Sequence, residues 1–412
     1  MKILNFGSCN IDYVYSVNHI VRMGETISSH SLETFPGGKG LNQSIAIARA
    51  GATVYHAGCV GYDGDMLTDL LLESGVDISN ILRVGCKNGH AIIQVSEKGD
   101  NSIFLYAGSN KMVTTDFVDA VLAHFEEGDL LLLQNEISNV SYIIEKAYQK
   151  KMKIIFNPSP FQDEIKQLDF GMLSYVILNE VEAGEISGCD DPESALVYFR
   201  EAYPDLKVIL TLGEKGSIYI DCEQRIRQEA YVIDVVDTTA AGDTFTGYFV
   251  ASLSSGKSYA DALKFASAAA ALAVSKNGAA PSIPYQEEVE KSLDYLVPNE
   301  INHKREYLKT QIETYLVEHI RDASLPELAK LLNYSTVYTG NLVKQITGET
   351  FSDYLQNYRC KLAAKLLLES SLSVKEVIHT VGYENESFFR KMFKEKYHRT
   401  PLNYRKREGQ RT

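Results

Sequence analysis

The feature that most constrains this chain is a recurrence. A short apolar run stops at a polar cluster, and a helical pattern usually follows. Lys2 to Phe6 stops at Gly7-Ser8-Cys9-Asn10-Ile11-Asp12, and Asp129 to Leu133 stops at Gln134-Asn135-Glu136. Ile154 to Phe156 stops at Asn157-Pro158-Ser159-Pro160, and Tyr175 to Leu178 at Asn179-Glu180-Val181-Glu182. Val208 to Leu212 stops at the glycine turn Gly213-Glu214-Lys215-Gly216. Continuous apolar strands alternating with helices are satisfied by one sheet covered on both faces, so the fold expected is α/β and doubly wound. Ligands in such sheets bind beyond the carboxyl ends of the strands. The polar clusters are therefore either binding groups or ordinary solvated turns.

One loop carries more chemistry than the rest. Tyr231 to Val236 reads as a strand and Phe245 to Leu253 as a helix, with Asp237-Thr238-Thr239-Ala240-Ala241-Gly242-Asp243-Thr244 between them. A small-residue loop opening a helix gathers unpaired N–H groups where the helix dipole favours an anion. A carboxylate at that place repels the anion unless it serves as a base beside it. Phosphoryl transfer needs that pairing, with Asp243 accepting the proton of an attacking hydroxyl. Taken alone, Asp243 also reads as a helix-capping aspartate after a turn.

Pro36-Gly37-Gly38-Lys39-Gly40-Leu41-Asn42-Gln43 precedes an alanine-rich helix that stops at Gly51. Glycines there let the backbone approach a ligand, though a tight turn needs them too. The spacing is not that of a Walker loop. Ala91 to Ser96 and Ser102 to Tyr106 flank Glu97-Lys98-Gly99-Asp100 and read as a hairpin. With short strands expected over Thr26 to Phe35, the hairpin forms a small accessory sheet.

The length, 412 residues, leaves room for two or three domains. No run approaches a membrane span and the start reads as a strand, so a soluble cytoplasmic protein is expected. Six cysteines lack metal-ligand spacing and read as reduced, mostly buried thiols. The net charge of −13 is uneven: residues from 300 onward hold 19 Lys+Arg against 14 Asp+Glu, the remainder 22 against 40. A basic tail on an acidic body points to nucleic acid at the C-terminal end.

The loop Asp237 to Phe245, the Gly38-Lys39-Gly40-x-Asn42 stretch and the Gly7-Ser8-x-Asn10-x-Asp12 start together resemble the ribokinase-like sugar-kinase family. The resemblance covers about Met1 to Leu296. It implies Asp243 as catalytic base, with an anion hole of N–H groups at Ala240, Ala241, Gly242 and Asp243. It implies sugar contacts at Asn10, Ile11, Asp12, Gly38, Lys39, Gly40, Asn42, Glu136 and Asp243, with ribose the sugar indicated. ATP is implied at Asn179, Thr211, Leu212, Gly213, Glu214, Lys215, Gly216, Gly242, Asp243 and Ser267. Magnesium is implied through water at Glu182, a residue that also fits a dipole-complementing helix start. Potassium is implied near Asp237, Thr239, Ala273, Lys276, Gly278 and Ser282, largely through backbone oxygens. The accessory sheet would be a lid over the sugar and a homodimer clasp.

After Val297-Pro298-Asn299-Glu300 the pattern becomes wholly helical, so a linker is expected over 297–304 and a second domain over 305–408. Two Ser-capped short helices, at Ser324 and Ser373, each precede a turn and a second Ser-started helix, with a long helix joining the pairs. Each has capping-box spacing. The arrangement is helix-turn-helix spacing used twice, which ordinary helical hairpins also produce. Residues 381 to 394 and 400 to 405 resemble the AraC/XylS-type regulator domain, which implies binding to double-stranded DNA. Candidate contacts are Ser335, Tyr338, Asn341 and Lys344 in the first unit. In the second they are Glu386, Ser387, Arg390, Lys391 and Lys394. Thr339, Gly340, Asn341 and Val343 depart from the family's pattern, and Gly340 inside a helix costs about 1 kcal/mol against Ala. Base readout is therefore expected from the second unit.

The reading is an ATP-dependent sugar kinase joined to a DNA-binding regulator domain. Two alternatives stand beside it. One is a transcription factor using the kinase fold as a sugar sensor. The other is a kinase for a different pentose, a ketohexose or a nucleoside.

Overall fold

The computed structural model describes the backbone of residues 1–408 and the side chains of 1–299 and 307–406. The chain divides into two compact units, Met1–Asn299 and Glu300–Thr412. The first holds every strand: β1 (Ile3–Phe6), β2 (Asn10–Val17), β3 (Ser31–Gly37), β4 (Val54–Val60), β5 (Asp77–Arg83), β6 (Gly89–Ser96), β7 (Asn101–Tyr106), β8 (Leu130–Gln134), β9 (Lys153–Asn157), β10 (Tyr175–Asn179), β11 (Lys207–Thr211), β12 (Ser217–Ile220) and β13 (Arg225–Gln228).

The main sheet runs β13-β12-β11-β10-β9-β8-β1-β4-β5. It is parallel from β11 to β5, with β12 and β13 antiparallel at one edge. Successive residues of its strands enter opposite cores. Leu4, Phe6, Leu131 and Leu133 face one buried cluster, and Ile3, Leu130 and Leu132 face the other. This two-faced burial explains why the strands read as continuous apolar runs. Helices Lys39–Arg49, Ala241–Ser254 and Tyr259–Val274 cover one face, and Thr115–Leu122, Val140–Gln149 and Pro192–Ala202 the other. Order reverses at β1, flanked by β4 and β8, so strand ends open a crevice there.

A second sheet, β3-β2-β6-β7, forms the accessory layer. Here the structure departs from the expectations. Asn10 and Asp12 lie not in a turn but on β2, paired to Gly37 and Phe35 of β3. Of Thr26 to Phe35 only the end is strand, because β3 starts at Ser31. Strand β5, not expected from the sequence, carries Asp, Ser and Asn residues, tolerated because β5 is an edge.

The expected strand Tyr231 to Val236 does not form. These residues do not pair with β13, which stays the edge of the sheet, and Val232, Val235 and Val236 are exposed. They are extended instead against the end of the unit. Tyr231 bridges Pro298, and Val232 N–H donates to the Val297 carbonyl. The stretch expected as a linker is correspondingly ordered at its start. Asn299 opens a helix, Asn299–Glu318. Among the described residues, no helix is long and apolar enough to cross a membrane. Cys9, Cys59 and Cys360 are buried, Cys86 and Cys189 half-buried and Cys222 exposed, all six as free thiols.

The second unit is helical: Leu325–Leu331, Thr336–Thr347, Phe351–Glu369, Val374–Thr380, Glu386–Tyr397 and Pro401–Glu408. It has two small cores. Ile312, Leu316, Leu328 and Val343 make one, Leu367, Val377, Phe389 and Phe393 the other, and Phe351–Glu369 contributes to both. Ser373 completes a capping box with Glu376, whereas Ser324 caps only one way because Glu327 turns to Lys330. Helix Glu386–Tyr397 is capped by Asn385, not started by Ser387. Gly382 has φ 85°, and a Cβ there would sit 2.8 Å from the Arg321 Cα, so only glycine fits that turn.

Candidate active site

Residues far apart in sequence meet at the carboxyl ends of β1, β8, β9, β10 and β11. A cleft with about 580 Å³ of empty space is lined there by Lys39, Asn179, Glu182, Thr211, Ala240, Ala241, Gly242 and Asp243. Asn157, Ser159, Thr238 and Thr246 also line it.

The floor of the cleft is the start of helix Ala241–Ser254. Ala240 holds a left-handed backbone, φ 61°, which costs a non-glycine residue on the order of 1 kcal/mol and turns the chain sharply into the helix. Ala241 N–H is engaged by the Thr238 carbonyl at 3.3 Å, and Thr244 is the first to bond back, to Ala240 at 2.8 Å. The N–H groups of Gly242 and Asp243 are thus the helix's orphan donors. Ala241 has an internal partner, so the expected hole is narrower than a run of four equal donors. A Cβ built on Gly242 meets nothing within 4 Å, because the residue borders open space.

Asp243 is buried at 7 % exposure and held from two sides. Asn42 Nδ2 donates to its Oδ2 at 3.0 Å, and Gln43 Nε2 to its Oδ1 at 2.9 Å. Both donors come from the first turns of helix Lys39–Arg49, whose approach depends on glycine. A Cβ on Gly40 would lie 2.3 Å from the Ser8 nitrogen, and one on Gly247 would lie 2.3 Å from the Ala46 Cβ. Asn42 Oδ1 is buried without a partner.

Beside Asp243 stand two more carboxylates. Glu136 accepts a short hydrogen bond from the Ser8 hydroxyl and another from Lys39 N–H at 3.1 Å. Burial, and behind it the Asp243 charge, raises Glu136 above the usual carboxylate range against the opposing pull of Lys39 and Ser8. Asp12 is pushed up to about 7, by burial first and then by Glu136 and Asp243. Burial works to lower the Lys39 ammonium, but the Asp243, Glu136 and Glu182 charges outweigh it and leave Lys39 raised. Asn10 lies alongside, its Oδ1 accepting from Asn110 Nδ2 at 2.8 Å. A Cβ on Gly37 would strike the Asp12 carboxylate at 2.1 Å, and Gly38 has φ 95° within 2.9 Å of the Asn10 nitrogen.

Other expected residues fall in supporting positions. The side chains of Ile11 and Leu212 are in the core, so only their backbones are available to a ligand. Glu182 caps its helix by accepting from Asn179 N–H at 3.0 Å and still lines the cleft. Gly213, Glu214 and Lys215 form the turn after Thr211, closed by Gly216. Ser267 is buried in helix Tyr259–Val274 and does not line the cleft. Asp237 ties two loops together, accepting from Thr239 N–H and from Gly278 N–H, each at 2.9 Å. Lys276 pairs with Glu288 at 3.0 Å, and Ser282 donates to the Ala279 carbonyl at 2.8 Å. The Ala273 carbonyl receives Lys276 N–H at 3.1 Å.

Sequence reasoning overlooked Gln43, Ser8 and Asn157. Gln43 stood within the quoted glycine stretch, and burial of a glutamine beside a ligand residue was the signal that only packing reveals.

In the second unit Tyr338, Asn341 and Lys344 are exposed on helix Thr336–Thr347, whose cap is Ser335. Ser387, Arg390, Lys391 and Lys394 are exposed on Glu386–Tyr397. Glu386 pairs with Arg390 at 3.4 Å and with Lys375 at 3.8 Å.

Comparison with known proteins bears on both units. The profile of the pfkB family carbohydrate kinases matches residues 1–286, and a helix-turn-helix domain matches 328–407. A ribokinase of Haemophilus influenzae is 35% identical over 300 residues, covering 70% of this chain and 97% of that one. A Bacillus subtilis ribokinase is 35% identical over 292 residues, with the same coverage. Among solved structures, a Cryptococcus neoformans ribokinase in complex with ADP superposes with TM-score 0.64 at 35% identity, covering 71% of this chain and 99% of that one. An Arabidopsis thaliana ribokinase complexed with ribose and ATP gives 0.63 at 29%, with the same coverage. The first unit thus has the sequence and the fold of known sugar kinases: this chain belongs to the pfkB family of carbohydrate kinases and carries a C-terminal AraC/XylS-type helix-turn-helix domain.

Proposed function

We propose that the chain phosphorylates ribose with ATP and binds DNA through its second unit. One observation carries the first part: Asp243 lies between orphan helix N–H groups and a cluster of acceptors. Glu136 and Asp243 accept hydrogen bonds, and the carboxylate of Asp12 and the unpartnered Oδ1 of Asn42 are further acceptors beside them. A site so rich in acceptors and net negative suits a neutral ligand with many hydroxyl donors, which is a sugar. Asp243 takes the proton of the sugar's hydroxymethyl group as its oxygen bonds to the γ-phosphorus of ATP and the bond to the ADP oxygen breaks. The proton ends on Asp243 and the phosphoryl group on the sugar.

The open space at Gly242 fits a phosphate close to the backbone, and Gly242 and Asp243 N–H groups would bear the transferring charge. Asn179 and Thr211 line the same cleft, where ATP would extend toward Gly213–Gly216. Magnesium would sit near Glu182 and supply charge neutralisation of the phosphates. For potassium, the loops that Asp237 joins offer backbone oxygens. Lys276, paired with Glu288, has only its carbonyl to give.

A homodimer rests on β7. All six of its residues are exposed, Ile103, Phe104, Leu105 and Tyr106 each by more than half, on the outer edge of the accessory sheet. An apolar unpaired edge is a surface for a second copy. DNA contacts are Arg390, Lys391 and Lys394 with Ser387 and Glu386, supported by Ser335, Tyr338, Asn341 and Lys344. Free thiols throughout accord with a cytoplasmic protein. Ligand occupancy in the kinase unit tunes DNA binding.

The test is ADP release by the full chain with magnesium and potassium across a panel of pentoses, ketohexoses and nucleosides. Ribose turnover is expected. Turnover with another substrate and none with ribose would make it a different kinase, and binding without turnover would favour a sensor.

A further inference from the structure

We infer that Gln43 is the positioning residue of the Asp243 carboxylate, a role that rests on Asp243 being the base. The side chain of Gln43 is fully buried. Its single nitrogen donates twice, to Asp243 Oδ1 at 2.9 Å and to Asn157 Oδ1 at 3.0 Å. Its oxygen accepts from Gln134 Nε2 at 2.6 Å. Every hydrogen-bonding site that matters on this amide is used, and its direction is fixed. Turning it over would face its carbonyl at the Asp243 carboxylate and at the Asn157 carbonyl, and would lose three bonds at once.

The chain of amides behind Gln43 sets that direction. Gln134 gives its second N–H to Asn5 Oδ1 at 2.9 Å. Asn5 in turn donates to the Gly40 carbonyl and to Ser44 Oγ, each at 2.8 Å. Ser44 meets His56 Nδ1 at 2.8 Å. Burial lowers His56 to about 4, so it is neutral here and adds no charge. Asn157 is held from the other side by its donation to the Ile177 carbonyl at 2.9 Å. The network joins β1, β8, β9 and helix Lys39–Arg49, all rigid elements, and delivers one N–H to Asp243.

That N–H does two things. It fixes the carboxylate plane, leaving the remaining lone pairs toward the cleft. It also supplies a donor whose loss in a variant would disfavour the charged carboxylate. Asn42 donates to the other oxygen and leaves its own buried Oδ1 without a partner, whereas both ends of the Gln43 amide are bonded. Gln43 therefore serves the base alone.

The test is the pH profile of kcat for the full chain with Gln43→Met, which keeps length and loses the donor. We expect kcat to fall about 10- to 100-fold, sugar KM to change less than threefold, and the acid limb to move to higher pH. Gln43→Glu, of nearly the same shape, should move the limb further, because two carboxylates would face each other. In a double-variant cycle with Asp243→Asn, adding Gln43→Met should cost little more. An unmoved limb in both variants, or full additivity with Asp243→Asn, would reduce Gln43 to packing and overturn the inference. Absence of any phosphoryl transfer by the unaltered chain would remove the base role of Asp243, and the inference with it.

Discussion

The side chain of Asn299 donates to the carbonyl of Glu214 at 3.0 Å, while its backbone N–H donates to the Ala230 carbonyl at 2.7 Å. Asn299 is the last residue of the kinase unit and the first of helix Asn299–Glu318. Glu214 belongs to the turn where nucleotide is proposed. Gly216 closes that turn tightly on 228–230: a Cβ there would lie 2.0 Å from the Gln228 carbonyl oxygen. The segment from Ala230 then runs to Asp237 and the anion loop. Both loops thus bear on the residue that opens the helix leading to the DNA-binding unit. Nucleotide or sugar should accordingly shift affinity for a duplex selected from a random pool, by about tenfold for a differential of about 1.4 kcal/mol. By reciprocity DNA shifts ligand affinity equally. Asn299→Ala should shrink the nucleotide effect and spare DNA binding itself. Identical DNA affinities with and without ADP and ribose would leave two activities that share only a chain.

Replacing Asp243 by Asn removes the proton acceptor and keeps the shape. The expected loss in kcat is ~10²–10⁴, the usual worth of a general base, with ATP affinity nearly intact. Single-turnover kinetics with nucleotide titration measure both. A variant keeping most of its kcat would take Asp243 out of the reaction.

Asp12 makes stability depend on pH in a direction opposite to most surface carboxylates. Its folded value, about 7, lies above its ordinary 3.8. Below pH 4 the group is protonated in both states and costs nothing. As pH rises from about 4 to 7 the unfolded chain ionises first, so stability is lost across that window and stays lost above it. Asp12→Asn should therefore raise the melting temperature at pH 8, by on the order of 1–3 kcal/mol of stability, and leave it unchanged at pH 4. It should also weaken ribose binding. Calorimetry at the two pH values decides: equal melting shifts at both would detach Asp12 from the effect.

Arg390 is exposed and paired only loosely with Glu386. If it contacts phosphate, Arg390→Ala lowers the salt slope of DNA binding by about one. If it reads a base, specificity falls by ~1–3 kcal/mol at one position. Unchanged affinity and slope in the same titration would place the contact elsewhere on the helix.

Much of this molecule is legible from local pattern. The largely apolar runs of β1, β8, β9, β10 and β11 follow from burial on two faces, and Asn5, the polar residue inside β1, is buried with its hydrogen bonds made. Small residues around Gly242 mark the loop where a ligand is proposed to reach the backbone. The serine caps at Ser324 and Ser373 are local hydrogen bonds, readable because they span three residues, whereas the sequence points to a start at Ser387 where Asn385 is the cap. Tertiary structure decided what depends on neighbours remote in sequence. Tyr231 to Val236 has strand composition, yet its start pairs with Val297 and Pro298 instead of joining the sheet. Asp12 reads as either a binding group or a turn residue, but pairing with Phe35 puts it on a strand, and its burial, with Glu136 and Asp243 behind it, raises its pKa. Gln43 is one of the chain's many polar side chains until the fold closes β8 and β9 around it. Sequence determined which residues could bear the chemistry. Only packing determined which of them face one another, because hydrogen bonds across more than a hundred residues leave no periodic trace.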